Sequence, residues 1–244
     1  MEFSEEKVRI PFEQKELDGL FSVPDDVTAG IPAVVLTHGA GGDMRIKQLE
    51  SLARALACAG VLCLRFTCKA INFVYRVRAY SAVVDYLKAH ERFAPSSVFL
   101  GGRSMGARTA VAVCNQMCAV QKDAVQGVLC LSFPLNLPGK PQTYIERSKG
   151  LLELSGTPVL FISGTADNMC EQGICGVLKS LKKKILQNIV DTMKSPSAVH
   201  WIKDANHGLT VRGRTEESVL EEVNPLIIEW EVYKDWIFLR NLCL

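Results

Sequence analysis

The sequence predicts an α/β fold: a mostly parallel, eight-stranded sheet with helices on both faces and no large cap domain. Three observations predict it. Short apolar runs alternate with longer amphipathic stretches along the 244 residues, the pattern of strands linked by helices. Several runs are almost wholly Val, Leu and Ile, as strands covered on both faces require. The first two runs have no helix between them, which fits an antiparallel hairpin at the sheet edge.

The strand runs are residues 8–12, 20–23, 31–37, 61–66, 98–101, 127–132, 158–163 and 199–202. Helices are expected at 46–58, 74–89, 105–120, 174–193 and 216–230. In the first of these, Leu49, Leu52, Ala53 and Leu56 share one helical face. Residues 134–143 hold three prolines and a glycine and read as a loop, too short for a folded lid. No repeat or long linker interrupts the pattern, so a single domain is expected over 1–244, with its core at about 8–230.

Composition narrows the function classes. Hydrophobic residues make up 48% and charged residues 22%, and the formal net charge is +2. Bulk electrostatics therefore point to no nucleic acid and no membrane, and the expected partner is a small-molecule substrate. The opening Met1-Glu2-Phe3-Ser4-Glu5-Glu6 lacks the basic and apolar regions of a signal peptide. No window approaches the roughly eighteen apolar residues of a membrane span. Nine cysteines are scattered without a C-x-x-C pair, so neither a metal site nor another cofactor is expected. They read as small buried hydrophobes in a reducing compartment, cytoplasmic or nuclear.

The chemistry sits in Gly102-Arg103-Ser104-Met105-Gly106, a G-x-S-x-G pattern between an apolar strand and a helix rich in small residues (Ala107, Ala110, Ala112). A chain turning that sharply from strand to helix strains the serine and leaves no room for side chains at the flanking positions. The turn lifts the hydroxyl above the sheet, beside free N–H groups at the helix start. This is the nucleophile elbow of an α/β-hydrolase, with Ser104 as the candidate nucleophile.

Serine needs a base, and the base an orienting acid, in the chain order Ser, acid, His. The strand at 158–163 runs into Gly164-Thr165-Ala166-Asp167, which makes Asp167 the candidate acid. A helix N-cap is its competing role, and Asp204 and Glu171 are reserve acids. Among four histidines, His207 follows the last strand and lies in a loop, whereas His90 ends a helix, His200 opens a strand and His38 precedes the serine.

Two donors must meet a developing oxyanion. The N–H of Met105 is one candidate, and Ala40 in His38-Gly39-Ala40-Gly41-Gly42 is the other, with Gly39 or Gly41 as alternatives. His38 is expected to brace this loop rather than transfer protons. Arg103 sits inside the elbow and Arg108 one turn beyond Ser104, and Arg45, Arg65 and Lys69 lie near other strand ends. An anionic substrate group is one use for them; bracing loops through carbonyls or surface acids is the favoured one.

The blocks Leu36-Thr37-His38-Gly39-Ala40-Gly41-Gly42-Asp43-Met44 and Leu64-Arg65-Phe66-Thr67-Cys68-Lys69, with residues 99–108 and 161–171, resemble the testis-expressed protein thirty family. That family is related to the hydrolase-like part of a nonspecific-lethal chromatin complex subunit and to dienelactone-hydrolase-like proteins. The resemblance spans about residues 8–230. It implies an α/β-hydrolase fold and places the family's serine, acid and histidine on Ser104, Asp167 and His207; it implies no substrate. The chain departs from the pattern at 173–185, which holds Lys182-Lys183-Lys184, and in the tail from 231 to 244.

Hydrolysis of a small carboxylic ester or thioester through an acyl-enzyme is therefore the expected activity. A catalytically silent binding or scaffold protein is the alternative. Nucleotide binding is disfavoured, because no G-x-x-x-x-G-K-[ST] or early G-x-G-x-x-G is present.

Overall fold

A computed structural model describes residues 2–25, 30–137, 140–170 and 179–233. The chain begins with a long hairpin, β1 (Phe3–Phe12) and β2 (Lys15–Pro24). Then come β3 (Pro32–Thr37), α1 (Lys47–Cys58), β4 (Leu62–Phe66), α2 (Phe73–Lys88), β5 (Ser97–Arg103) and α3 (Met105–Val120). They are followed by β6 (Gly127–Leu131), α4 (Tyr144–Glu153), β7 (Val159–Gly164), α5 (Lys179–Thr192), β8 (Ser197–Ile202) and α6 (Glu216–Tyr233).

The eight strands form one sheet in the order β1-β2-β4-β3-β5-β6-β7-β8. β2 pairs antiparallel with β1 and with β4, and the remaining pairs are parallel. The expected edge hairpin is present and is longer than its apolar runs, because β1 is a half-exposed edge strand in which polar residues alternate with packed ones. The order reverses between β4 and β5 on either side of β3, so the carboxyl ends of β3 and β5 flank a crevice.

Strand residues two apart serve opposite layers. Val34 and Leu36 of β3 pack beneath α1 and α6, among Leu49, Leu52, Val223 and Ile227. Ala33 and Val35 pack on the other face, with Tyr80 and Val83 of α2 and Ala107 and Ala110 of α3. That double covering explains why the central strands read as continuous apolar runs. Tyr80 is fully buried. Its hydroxyl bonds the Val35 carbonyl at 2.5 Å and accepts the Gly101 N–H at 3.0 Å, which ties α2 to the strands beneath the elbow.

Two expectations need correction. Residues 134–143 are not wholly loop: they end in a 3-10 turn, Pro141–Thr143, that leads directly into α4. Helix α4 itself was not expected, because it buries just Ser148 and Leu151 while Ile145 stands 60% exposed, leaving a weak apolar stripe. The expected helix at 174–193 appears as α5; residues 171–178, Glu171 included, lie outside the described residues, as do the side chains of the lysine run and the tail from 234. Among the described residues, no helix is long and apolar enough to cross a membrane.

Candidate active site

β5 ends at Arg103 and α3 starts at Met105, leaving Ser104 alone to make the turn. Its backbone sits at φ 55°, ψ −118°, a region costly for any residue with a Cβ. The two elbow glycines permit it. A Cβ on Gly102 would lie 2.7 Å from the Thr37 carbonyl oxygen and 2.6 Å from the Gly106 carbonyl carbon; one on Gly106 would lie 2.4 Å from the same Thr37 oxygen. The serine is 8% exposed.

Three distant side chains meet here. His207 Nε2 is 2.8 Å from Ser104 Oγ. Its Nδ1 is 2.8 and 3.0 Å from the two oxygens of Asp167. A carboxylate only accepts, so Nδ1 carries the proton and Nε2 presents a lone pair to the serine O–H. Asp167 is 1% exposed. It also accepts the Met169 N–H at 2.8 Å at the start of a 3-10 turn, Asn168–Cys170, so the capping and orienting roles coexist. Of the reserve acids, Asp204 is exposed and sits at φ 57°.

The loops carrying acid and base are bonded to each other and to the elbow. Ala166 N–H donates to Ala205 O at 2.9 Å and Thr165 N–H to Ile202 O at 3.0 Å. Asn206 Oδ1 accepts from Gly208 N–H and from the N–H and hydroxyl of Thr210, shaping the histidine turn. Arg103 donates to the His207 carbonyl at 3.0 Å, and Gln48 donates to the Gly208 carbonyl at 2.8 Å. Sequence reasoning missed Gln48 and Asn206; each is a polar residue whose partners, distant or in its own turn, leave no mark on the apolar periodicity.

The loop after β3 passes directly over the elbow. A Cβ on Gly39 would stand 3.3 Å from the Ser104 Cβ. Among the described residues, neither the Met105 N–H nor the Ala40 N–H has a hydrogen-bond partner. His38 is buried beneath this loop. Its Nε2 accepts the Cys68 N–H at 3.0 Å, so Nδ1 bears the proton and points at the Gly41 carbonyl, 3.3 Å away. Arg76, itself 1% exposed, donates to the His38 carbonyl and to that of Ala70.

Burial, and then the nearby Arg76 cation, lower the His38 pKa from its ordinary 6.5. The unfolded chain therefore takes up this proton more readily than the folded one. Stability from His38 is fully present above pH 6.5 and declines as pH falls through that value toward the folded one. Thermal melts at pH 7.5 and 5.0 should show a smaller acid loss for His38→Gln than for the parent chain; equal losses would contradict this assignment.

The other basic residues divide. Arg65 is buried, donates to the Met44 carbonyl and pairs with Glu5, and Arg103 braces the histidine loop as noted. Arg45 and Lys69 are exposed beside a surface cavity of about 340 Å³. Among the described residues, the Arg108 guanidinium has no hydrogen-bond or ion-pair partner and lies against the Phe73 ring. Among the described residues, no group of His, Cys, Asp and Glu is arranged to hold a metal ion. Cys68, Cys114 and Cys130 are buried and free, and burial pushes the Cys114 thiol up to about 12.

Residues 31–231 match the family described as Alpha/beta hydrolase domain, and the chain belongs to that family. Among solved structures, it is similar to a dienelactone hydrolase from Anabaena variabilis, at 16% identity and a TM-score of 0.69, over 95% of this chain and 98% of that one. An alpha-beta serine hydrolase homologue from Coxiella burnetii is 18% identical, with a TM-score of 0.67 over 92% of this chain and 96% of its own. Est1E from Butyrivibrio proteoclasticus is 16% identical, with a TM-score of 0.69 over 93% and 99%. These likenesses are of fold.

Proposed function

We propose that the chain is a serine hydrolase that cleaves a small carboxylic ester or thioester through an acyl-enzyme. The observation that carries the reading is the continuous Ser104–His207–Asp167 relay, with 2.8 Å at each link. Ser104 Oγ attacks the carbonyl carbon while its proton passes to His207 Nε2, and Asp167 holds the imidazolium that forms. The oxyanion meets the N–H groups of Met105 and Ala40. His207 then protonates the leaving alcohol or thiol. Water attacks the acyl-enzyme, gives a proton to His207, and the acid leaves as Ser104 regains its proton.

Membership of the hydrolase family supports this reading, as do serine hydrolase and esterase neighbours in fold. Within the family, the motif blocks around Thr37, Arg65, Ser104 and Asp167 favour the testis-expressed protein thirty group as the finer assignment. The buried free thiols suit a reducing compartment.

A fluorophosphonate probe tests the proposal. The parent chain should label, and Ser104→Ala and His207→Ala should not. A folded parent chain that stays unlabelled would favour the scaffold alternative.

A further inference from the structure

Arg108 lies one helical turn past Ser104, and its N–H donates to the Ser104 carbonyl at 3.2 Å. Side chains on a helix lean toward its N-terminus, so this guanidinium is carried back toward the elbow. It lies 4.7 Å from the ring centroid of Phe73, the first residue of α2. Arg147 of α4, close enough to act electrostatically on Arg108, donates to the Pro134 carbonyl at 2.9 Å and to that of Asn136 at 3.4 Å, in the segment after β6. Arg108 is half-buried, yet among the described residues its guanidinium has neither a hydrogen bond nor an ion pair. Glu146 attracts both cations from an exposed position but pairs with neither.

A half-buried cation without a partner is costly, and the adjacent Arg147 raises that cost. Burial first, and Arg147 second, lower the Arg108 pKa to about 10, so the side chain still stays charged at neutral pH. The Phe73 ring offers the guanidinium a cation–π contact that uses none of its N–H donors. Exposed Ile71 and Val74 at the start of α2, and Ile145 at the start of α4, give the neighbouring surface an apolar character.

Resting on the hydrolase reading above, we propose that Arg108, backed by Arg147, is an anion subsite of the Ser104 centre, and that the natural ester carries a carboxylate near its scissile bond. A planar guanidinium with free donors matches that group in shape and charge.

The test compares charged with neutral esters of equal length. 4-Nitrophenyl hemiglutarate against 4-nitrophenyl pentanoate reads the acyl side. 4-Carboxyphenyl pentanoate against phenyl pentanoate reads the alcohol side. On one of the two sides, the charged-to-neutral ratio of kcat/KM should favour the charged ester. Arg108→Gln should lower that ratio about ten- to a hundredfold, and Arg108→Lys should restore part of it. Equal losses on charged and neutral esters would make Arg108 merely structural and overturn the proposal, as would a ratio that Arg108→Gln leaves unchanged.

A binding arm does not depend on turnover. Calorimetric titration of the Ser104→Ala chain with monomethyl glutarate and with 4-acetoxybenzoate should give binding to one of them, weakened at least about tenfold by adding Arg108→Gln. Absence of binding by either, or binding indifferent to Arg108, would overturn the subsite. Loss of turnover on every ester with this binding intact would instead count against the hydrolase reading.

Discussion

On the proposed hydrolase reading, alanine and glycine at position 104 should both abolish turnover, and the glycine variant should unfold at the higher temperature of the two. The activity loss should be on the order of 10⁴-fold or more, because the residues of such a relay act as a unit. The stability difference comes from the backbone. At φ 55° and ψ −118°, a residue with a Cβ is strained, and glycine is not. Both variants lose the Oγ bond to His207, so they differ only in the Cβ, whose strain at this φ outweighs the extra unfolded-state entropy of glycine. Relief of about 1–2 kcal/mol is expected, or about 2–4 °C per kcal/mol in a chain of this size. Ester hydrolysis and a calorimetric melt measure the two effects. An alanine variant at least as stable as the glycine one would show that the elbow stores no strain.

Gly164→Ala should be the most damaging conservative change outside the elbow. Gly164 closes β7, three residues before Asp167. A Cβ there would stand 2.1 Å from the Ala205 carbonyl oxygen and 2.6 Å from its carbon. Those are backbone atoms, and the same oxygen accepts the Ala166 N–H, so no side chain can rotate out of the way. The histidine loop must retreat from the acid loop, which lengthens the His207–Asp167 contact and breaks the Ala166 bond. A stability loss of about 2–4 kcal/mol is expected, at the upper end for overpacking, and activity should fall with it. Urea denaturation and ester hydrolysis at a temperature where the variant is folded would measure each. A variant with parental stability would mean that the two loops are not locked together.

Much of the fold was legible because the signals were local. The central strands are covered on both faces, so they show as unbroken Val, Leu and Ile runs, and the G-x-S-x-G glycines mark the elbow directly. The meeting of Ser104, Asp167 and His207 was legible for a different reason: each follows a strand of one sheet, and parallel strands bring their carboxyl ends to one edge. The rest is long-range. Nothing near Gly164 in the chain announces that Ala205 will press against it, although a glycine closing an apolar run just before a candidate acid was a usable hint. Gln48 reaches Gly208 across 160 positions. Arg76 looks like any surface arginine on a helix, yet it is buried under the loop after β3. Helix α4 was hidden because its outward residues include Ile145 and Leu152, which blur the line between its two faces.

The close contacts at Gly39, Gly102, Gly106 and Gly164 carry an evolutionary consequence. Around Ser104, main chain rests on main chain, or on Cβ atoms, with no side chain between to be exchanged for a larger or smaller one. Mutation can break that scaffold but has little room to adjust it. If the hydrolase reading holds, changes of substrate preference should therefore accumulate in side chains of the neighbouring helices, such as Phe73, Arg108 and Arg147, while the backbone around Ser104 passes unaltered from one specificity to the next.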